Sequence, residues 1–233
     1  MTDRSVQHGL VFDARDVRAI LDGRKTQFRQ IVKPPKGGHI LRPMRAPQVD
    51  EANPSLGKVW VDHQDFSFEK LIDAPHGPVG RRLWVRETYA VLTGNGRRVV
   101  YRADYQDGRD PRTGWDDVPV DRRPAMKWAP STRLSRAWSR ITLEVTRVRA
   151  EYVQDVTEED AKAEGVPSWA EQRTSIGVDQ TLTTGERMLD SPYRASYAVR
   201  WDELNGNRAN WKSNPVVWVY DFRVADLQES GRS

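Results

Sequence analysis

With 233 residues, 37% of them hydrophobic and 30% charged, the chain is long enough for one large domain or two small ones and has the balance of a wet globular protein. No apolar run approaches the roughly 20 residues that span a bilayer, the opening Met-Thr-Asp-Arg-Ser-Val-Gln-His lacks the apolar core of a signal peptide, and cysteine is absent, which excludes a disulfide framework and thiolate chemistry. A cytoplasmic protein with no membrane partner is expected, and its net charge of +4 comes from 29 Arg beside only 8 Lys.

Asp13 can cap a helix over residues 13–23, with Val17, Ala19, Ile20 and Leu21 as its apolar side and Gly23 as its stop. Residues 25–32 alternate like a strand. Pro34, Pro35, Gly37, Gly38, Pro43, Pro47 and Pro54 make 33–58 a long loop or insertion, and Val59–Phe68 reads as a hairpin strand. Gly80–Val91 reads as one strand. Val99–Ala103 pairs with it across a turn at Gly94-Asn95-Gly96. Residues 104–125 form a second loop. Ser139–Ala150 is a strand carrying Ile141, Leu143, Val145 and Val148. Thr157 caps a short acidic helix ending at Gly165. Residues 170–192 are a third insertion, Pro192–Leu204 is a helix anchored by Tyr193, Tyr197 and Trp201, and Pro215–Val224 is a buried last strand. Asn205 and Asn214 are turn and strand-start residues. Five or six short strands with few helices predict one α+β domain over residues 1–233, a small mixed β-barrel decorated by loops.

Charge is unevenly spread. Arg81–Arg147 holds 15 Lys/Arg against 8 Asp/Glu, while Glu151–Asp190 holds 3 against 10. One reading is a charged groove with a negative wall; the other is two solvated surfaces. Arg binds phosphate bidentately and stacks on bases, although codon bias in a GC-rich genome produces the same excess. His8, His39, His63 and His76 show no metal-ligand spacing, so no metal is expected. Phosphate-loop, Ser-elbow and dinucleotide motifs are missing, so no cofactor is expected either.

Five stretches in chain order carry a resemblance. They are the helix with Gly23-Arg-Lys-Thr26, Gly80-Arg-Arg-Leu-Trp-Val-Arg-Glu-Thr88, Lys127-Trp-Ala-Pro-Ser131, Val156-Thr-Glu-Glu-Asp-Ala-Lys-Ala-Glu-Gly165 and Asn214-Pro-Val-Val-Trp-Val-Tyr-Asp-Phe222. Together they resemble the ASCH domain of phage and bacterial proteins, a relative of the PUA fold. The resemblance implies a PUA-like mixed β-barrel with flanking short helices, loop insertions at 33–58, 104–125 and 170–192, and a cleft that meets RNA, DNA or a modified nucleoside. One bacterial member type hydrolyses N4-acetylcytidine to cytidine and acetate with a Lys, a Thr three residues later and a Glu in the acidic helix. By motif the Lys falls on Lys25 and the Glu on Glu164. The Thr position holds Phe28, and Gln30 and Arg81 stand where many relatives have Arg and Asp.

Two function classes follow, and a phage protein-interaction module is a third. As a hydrolase of an N-acyl cytosine, or a ribonuclease, the protein needs a nucleophile, a base and an oxyanion donor. A lysine in a partly dry cleft can serve as base, Glu164 can orient it or protonate the leaving nitrogen, and Thr26 is the nearest hydroxyl. As a binder, Arg24, Lys25 and Arg29 contact phosphate and Phe28 stacks on a base, with core packing as the competing role for Phe28. A helix C-terminus alone also favours Lys25, and Glu164 can be one more acid on a solvated helix. Trp84 and Arg86 share a strand face and Glu87 lies opposite. They form either a ligand clamp or core packing with a buried Arg–Glu pair. Lys127, Trp128, Ser131, Arg133 and Arg136 interleave charge, ring and hydroxyl as a nucleic-acid backbone requires, or form a solvated basic loop.

Overall fold

The computed structural model describes residues 9–33, 58–62, 69–94, 96–105, 126–168 and 191–227. Local chemistry sets the helix bounds. β1 (Gly9–Val11) leads into α1 (Ala14–Leu21), where the Asp13 carboxylate accepts from the Asp16 N–H at 2.9 Å and satisfies one of the orphan donors of the first turn. Val17, Ala19 and Ile20 form its buried side. Beyond the helix Gly23 takes φ +71°, a conformation open to glycine without steric cost. Thr157 caps α2 (Glu158–Ala163) in the same way, accepting from the Asp160 N–H. α3 (Pro192–Asn205) has no side-chain cap from Ser191. Glu158 does that work, accepting from the N–H groups of Tyr193 and Arg194 at 2.8 and 3.0 Å, and its charge complements the helix dipole.

The other strands are β2 (Gln27–Ile31), β3 (Lys58–Asp62), β4 (Glu69–Asp73), β5 (Arg82–Arg86), β6 (Tyr89–Gly94), β7 (Gly96–Tyr101), β8 (Ile141–Tyr152) and β9 (Val216–Leu227). Five strands make a mixed sheet in the order β1-β5-β8-β9-β2. β1 runs parallel to β5, while β5–β8 and β2–β9 are antiparallel. The pairs β3–β4 and β6–β7 stand as separate antiparallel ribbons. The protein is therefore α+β with few helices. β1 and β2 are edges of the large sheet, so among the described residues it is open and not closed into the expected barrel.

Two expectations change in detail. The strand predicted over Gly80–Val91 is two strands, because β5 pairs with β1 and β8 whereas β6 pairs with β7. The chain must bend at Glu87–Thr88 to change partners. The turn at Gly94 and Gly96 does close the β6–β7 ribbon, with these two residues opposite each other. The strand predicted over Val59–Phe68 is β3, ending at Asp62, paired with β4; residues 63–68 lie outside the described residues, as do nearly all of the predicted loops 33–58, 104–125 and 170–192.

The chain divides into two compact units. The first comprises residues 1–22, 82–144 and 223–233, and the second residues 23–81 and 145–222. In the first, Tyr89, Tyr101 and Leu134 cluster with Trp138 against them. In the second, Val153, Ala161, Tyr197, Trp201 and Trp211 pack with Val217 and Val219 of β9. No helix among the described residues is long and apolar enough to cross a membrane.

Candidate functional site

In the second unit the chain enters β2 beside α2. Lys25 forms an isolated antiparallel bridge with Glu164, and the Thr26 N–H donates to the Ala163 carbonyl at 2.8 Å. This backbone pairing delivers two side chains to one place. Lys25 Nζ donates to the Glu164 carbonyl at 2.8 Å and to its Oε2 at 2.9 Å, and both residues are only 5% exposed.

Alternation along β2 then sends Gln27 and Arg29 to the face covered by α2. Arg29, whose side chain is wholly buried, donates from Nη1 to Glu164 Oε1 at 2.8 Å and to Gln27 Oε1 at 2.6 Å. Its Nε and Nη2 reach Glu151 Oε1 at 3.1 and 2.7 Å. Gln27 Nε2 donates to Asp160 and to Asp221. Arg149 completes the cluster by donating to Glu151, Asp160 and Asp221 over 2.8–3.2 Å. Three cations and four carboxylates thus alternate, each carboxylate held by at least one forked or hydrogen-bonded donor.

Protonation follows from that packing. Burial works to lower the Arg29 guanidinium, but Glu164, Tyr197 and Glu151 outweigh it and hold it above its ordinary value. Burial works to raise the Asp160 carboxyl, but the Gln27 hydrogen bond and the charges of Arg149 and Arg29 hold it below the usual carboxylate range. Burial, then the Glu164 charge, pushes the Tyr197 phenol well above its usual range. Tyr197 lies under the Arg29 guanidinium, 5.5 Å from ring centroid to Cζ.

The other expected residues of this unit are placed as follows. Arg24 is exposed and donates to the Gly165 carbonyl at 3.2 Å. Thr26 is exposed, with its carbonyl accepting from the Phe222 N–H at 2.8 Å. Phe28 points to the opposite face of β2 and is 6% exposed. Its ring stacks on Tyr220, its cross-strand partner, with centroids 4.7 Å apart, and meets His76 edge-on at 5.7 Å. Burial raises the Tyr220 phenol above its ordinary value even though its oxygen accepts from the His76 N–H.

The remaining expected residues belong to the first unit. Arg86 lies over the buried Trp84 ring at 4.5 Å and donates to the Thr132 carbonyl at 3.4 Å. A Cβ at Gly9 would come within 2.5 Å of Arg86 Nε, so this pair needs glycine on the neighbouring strand. Glu87 is 1% exposed and accepts a two-point contact from Arg140 at 2.8 and 2.9 Å. The same guanidinium forks onto Asp104 at 2.6 and 3.0 Å and covers the Tyr101 ring at 4.2 Å. Ser131 starts a 3-10 turn that ends at the exposed Arg133, and Arg136 Nη2 donates to Thr142 Oγ1 at 3.1 Å. Lys127 is exposed and Trp128 half-buried.

The expected residues therefore form two groups, one in each unit. Sequence reasoning missed Gln27, Arg149, Glu151, Asp160, Asp221 and Tyr197. A signal existed for Asp221, a carboxylate inside the apolar run Val216–Phe222 that must find a partner when buried. Asp160 and Glu164 are four apart on one helical side, which marks them as a pair. Among the described residues no group of His, Asp or Glu could hold a metal ion. No family model, curated protein or solved structure matches the chain.

Proposed function

We propose that the second unit binds a nucleobase-bearing ligand, a nucleic acid or a modified nucleoside, at the site built on Lys25, Arg29 and Glu164, in a fold of the PUA-like barrel type to which the ASCH domain belongs. The observation that supports it is the contact of Lys25 with Glu164. These are the two residues the ASCH resemblance singles out, they lie 139 positions apart, and they form a buried 2.9 Å ion pair. Burying such a pair costs desolvation that an apolar pair would avoid, so its presence favours recognition over stability. Arg24 and Thr26, exposed on either side of Lys25, supply a phosphate contact and a hydroxyl at the surface. Calorimetric titration with cytidine, N4-acetylcytidine and a short RNA tests this. Binding that falls at least about tenfold in Lys25→Gln, a loss of roughly 1.4 kcal/mol, supports the site. A wild-type protein that binds none of the three at millimolar ligand refutes it.

The same ion pair favours a second reading, hydrolysis of N4-acylated cytidine. Water adds to the acyl carbon, the N4–C bond breaks, and the acid and cytidine leave. Glu164 accepts from Lys25 through Oε2 and from Arg29 through Oε1, so in this reading it orients Lys25. With Phe28 in the aromatic core, the nucleophile is a water activated by Lys25, or the Thr26 hydroxyl. Chromatography should show cytidine released by the wild type and none released by Lys25→Ala; no product from the wild type at high enzyme refutes hydrolysis and leaves binding standing.

A further inference from the structure

We infer that the first unit carries its own binding face for single-stranded nucleic acid, centred on Arg102, Tyr105 and Trp128 and extended by Lys127 and Arg133. Residues 82–92, 98–105 and 126–140 contain eight Lys/Arg and only two acids, Glu87 and Asp104. Both acids bind Arg140, which is buried. The carboxylates of these segments are thus drawn inward, while five of the eight cations, Arg82, Arg98, Arg102, Lys127 and Arg133, are exposed.

An aromatic platform stands among these cations. Tyr105 and Trp128 meet edge-on with centroids 5.5 Å apart, and the Arg102 guanidinium lies 5.7 Å from the first ring and 5.1 Å from the second. Both arms of this cluster are pinned. On one side the turn at 101–104 is closed by the Asp104 N–H donating to the Tyr101 carbonyl at 3.2 Å, and its Asp104 is clamped by Arg140. On the other side Trp128 precedes Ala129, which exchanges backbone hydrogen bonds with Tyr89 at 2.7 and 3.3 Å. Rings held on fixed backbone beside guanidinium groups are what unpaired bases stack on and phosphates pair with.

The chemistry selects among polyanions. A membrane surface calls for apolar side chains to insert, and the large exposed hydrophobics of the described residues, Val11, Leu21, Val79, Leu204, Val224 and Leu227, all lie outside these segments. A duplex groove calls for a basic helix or ribbon. α1, the α-helix among the described residues of this unit, carries Arg15 and Arg18 offset by Asp16 and its cap Asp13, and among the described side chains of the β6–β7 ribbon Arg98 is the single cation. Stacking on Trp128 and Tyr105 needs bases that are not already paired. This face shares the nucleic-acid reading proposed for the second-unit site but none of its residues.

Fluorescence anisotropy with a labelled single-stranded 12-nucleotide oligomer, at two salt concentrations, tests the face. Wild-type affinity should fall steeply with salt. The triple variant Arg102→Ala, Lys127→Ala, Arg133→Ala should bind at least about tenfold more weakly and lose roughly two units of log–log salt slope, about 0.7 per phosphate contact. Trp128→Ala should weaken binding by about five- to a hundredfold, the loss of one stacked base, while Trp128→Phe keeps most of it. A charge-matched control in the second unit, Arg147→Ala with Arg208→Ala and Lys212→Ala, should stay within about twofold, because it removes three charges but no platform. The inference is overturned if the control loses as much as the triple variant, if a duplex of equal length binds as tightly as the single strand, or if phosphatidylserine vesicles compete as well as unlabelled oligomer. Oligomer binding that Lys25→Gln leaves unchanged, while nucleosides fail to bind, refutes the Lys25–Glu164 reading alone; nucleoside binding without oligomer binding refutes this one alone.

Discussion

Replacing Arg140 by Met tests whether Glu87 is a structural anchor or a ligand clamp. Arg140 makes four N–H···O contacts of 2.6–3.0 Å to two carboxylates. Those carboxylates differ in access to water: the Glu87 side chain is 2% exposed and that of Asp104 is 20%. Asp104 can rehydrate when the guanidinium goes, so the damage falls on Glu87, left as an unmatched buried charge. Removing one partner of a buried pair costs about 3–5 kcal/mol. In a chain of this size each kcal/mol moves Tm by about 2–4 °C, giving a drop of about 6–20 °C. The double variant Arg140→Met, Glu87→Gln carries no buried charge and should recover most of that loss. Urea titration and thermal melts followed by circular dichroism measure both. A single variant that costs under about 1 kcal/mol, the range of an exposed pair, or a double variant no more stable than the single, would refute the anchor. If Glu87→Gln instead leaves stability intact and abolishes oligomer binding, Glu87 is a clamp.

Other outcomes follow from the same geometry. Asp160 has a folded-state carboxyl below its unfolded value, so its contribution to stability is full above about pH 4 and is lost as pH falls through the lower folded value; Asp160→Asn should flatten the acid limb of urea midpoint against pH, and an unchanged limb refutes the assignment. Phe28→Thr, which restores the hydroxyl of the resembling hydrolases, removes a stacked ring from the core and should cost about 3–5 kcal/mol, as large-to-small aromatic changes do; a neutral effect in urea titration would show that the ring is not held as the stack on Tyr220 requires. Glu158→Ala strips the cap from α3 and should cost about 1 kcal/mol, whereas Glu159→Ala, one residue along on the exposed side, should stay within about 0.5 kcal/mol.

Which parts of this protein were legible from sequence depends on the range of the interaction that makes them. The caps at Asp13 and Thr157 act over three residues, so α1 and α2 could be located from the chain alone, and the Gly94–Gly96 turn is local in the same way. Elsewhere the local pattern misled. Gly80–Val91 reads as one strand because it is rich in β-formers; the break at Glu87–Thr88 comes from the change of strand partners, β1 and β8 before it and β7 after it. Periodicity placed Phe28 on a strand but not its stacking partner, because β9 lies almost two hundred residues on and cross-strand register is a property of the sheet. The pairing of Lys25 with Glu164 was suggested by resemblance and not by spacing; of the charges around it, Asp160, four residues before Glu164, and Asp221, inside an apolar strand, left a local signal, and Arg149 left none. The sequence by itself determined the class of fold, the helix ends and the surplus of arginine. Only the tertiary structure decided which charges are buried together, because a guanidinium chooses among carboxylates by distance and desolvation, and both are set after the strands have paired.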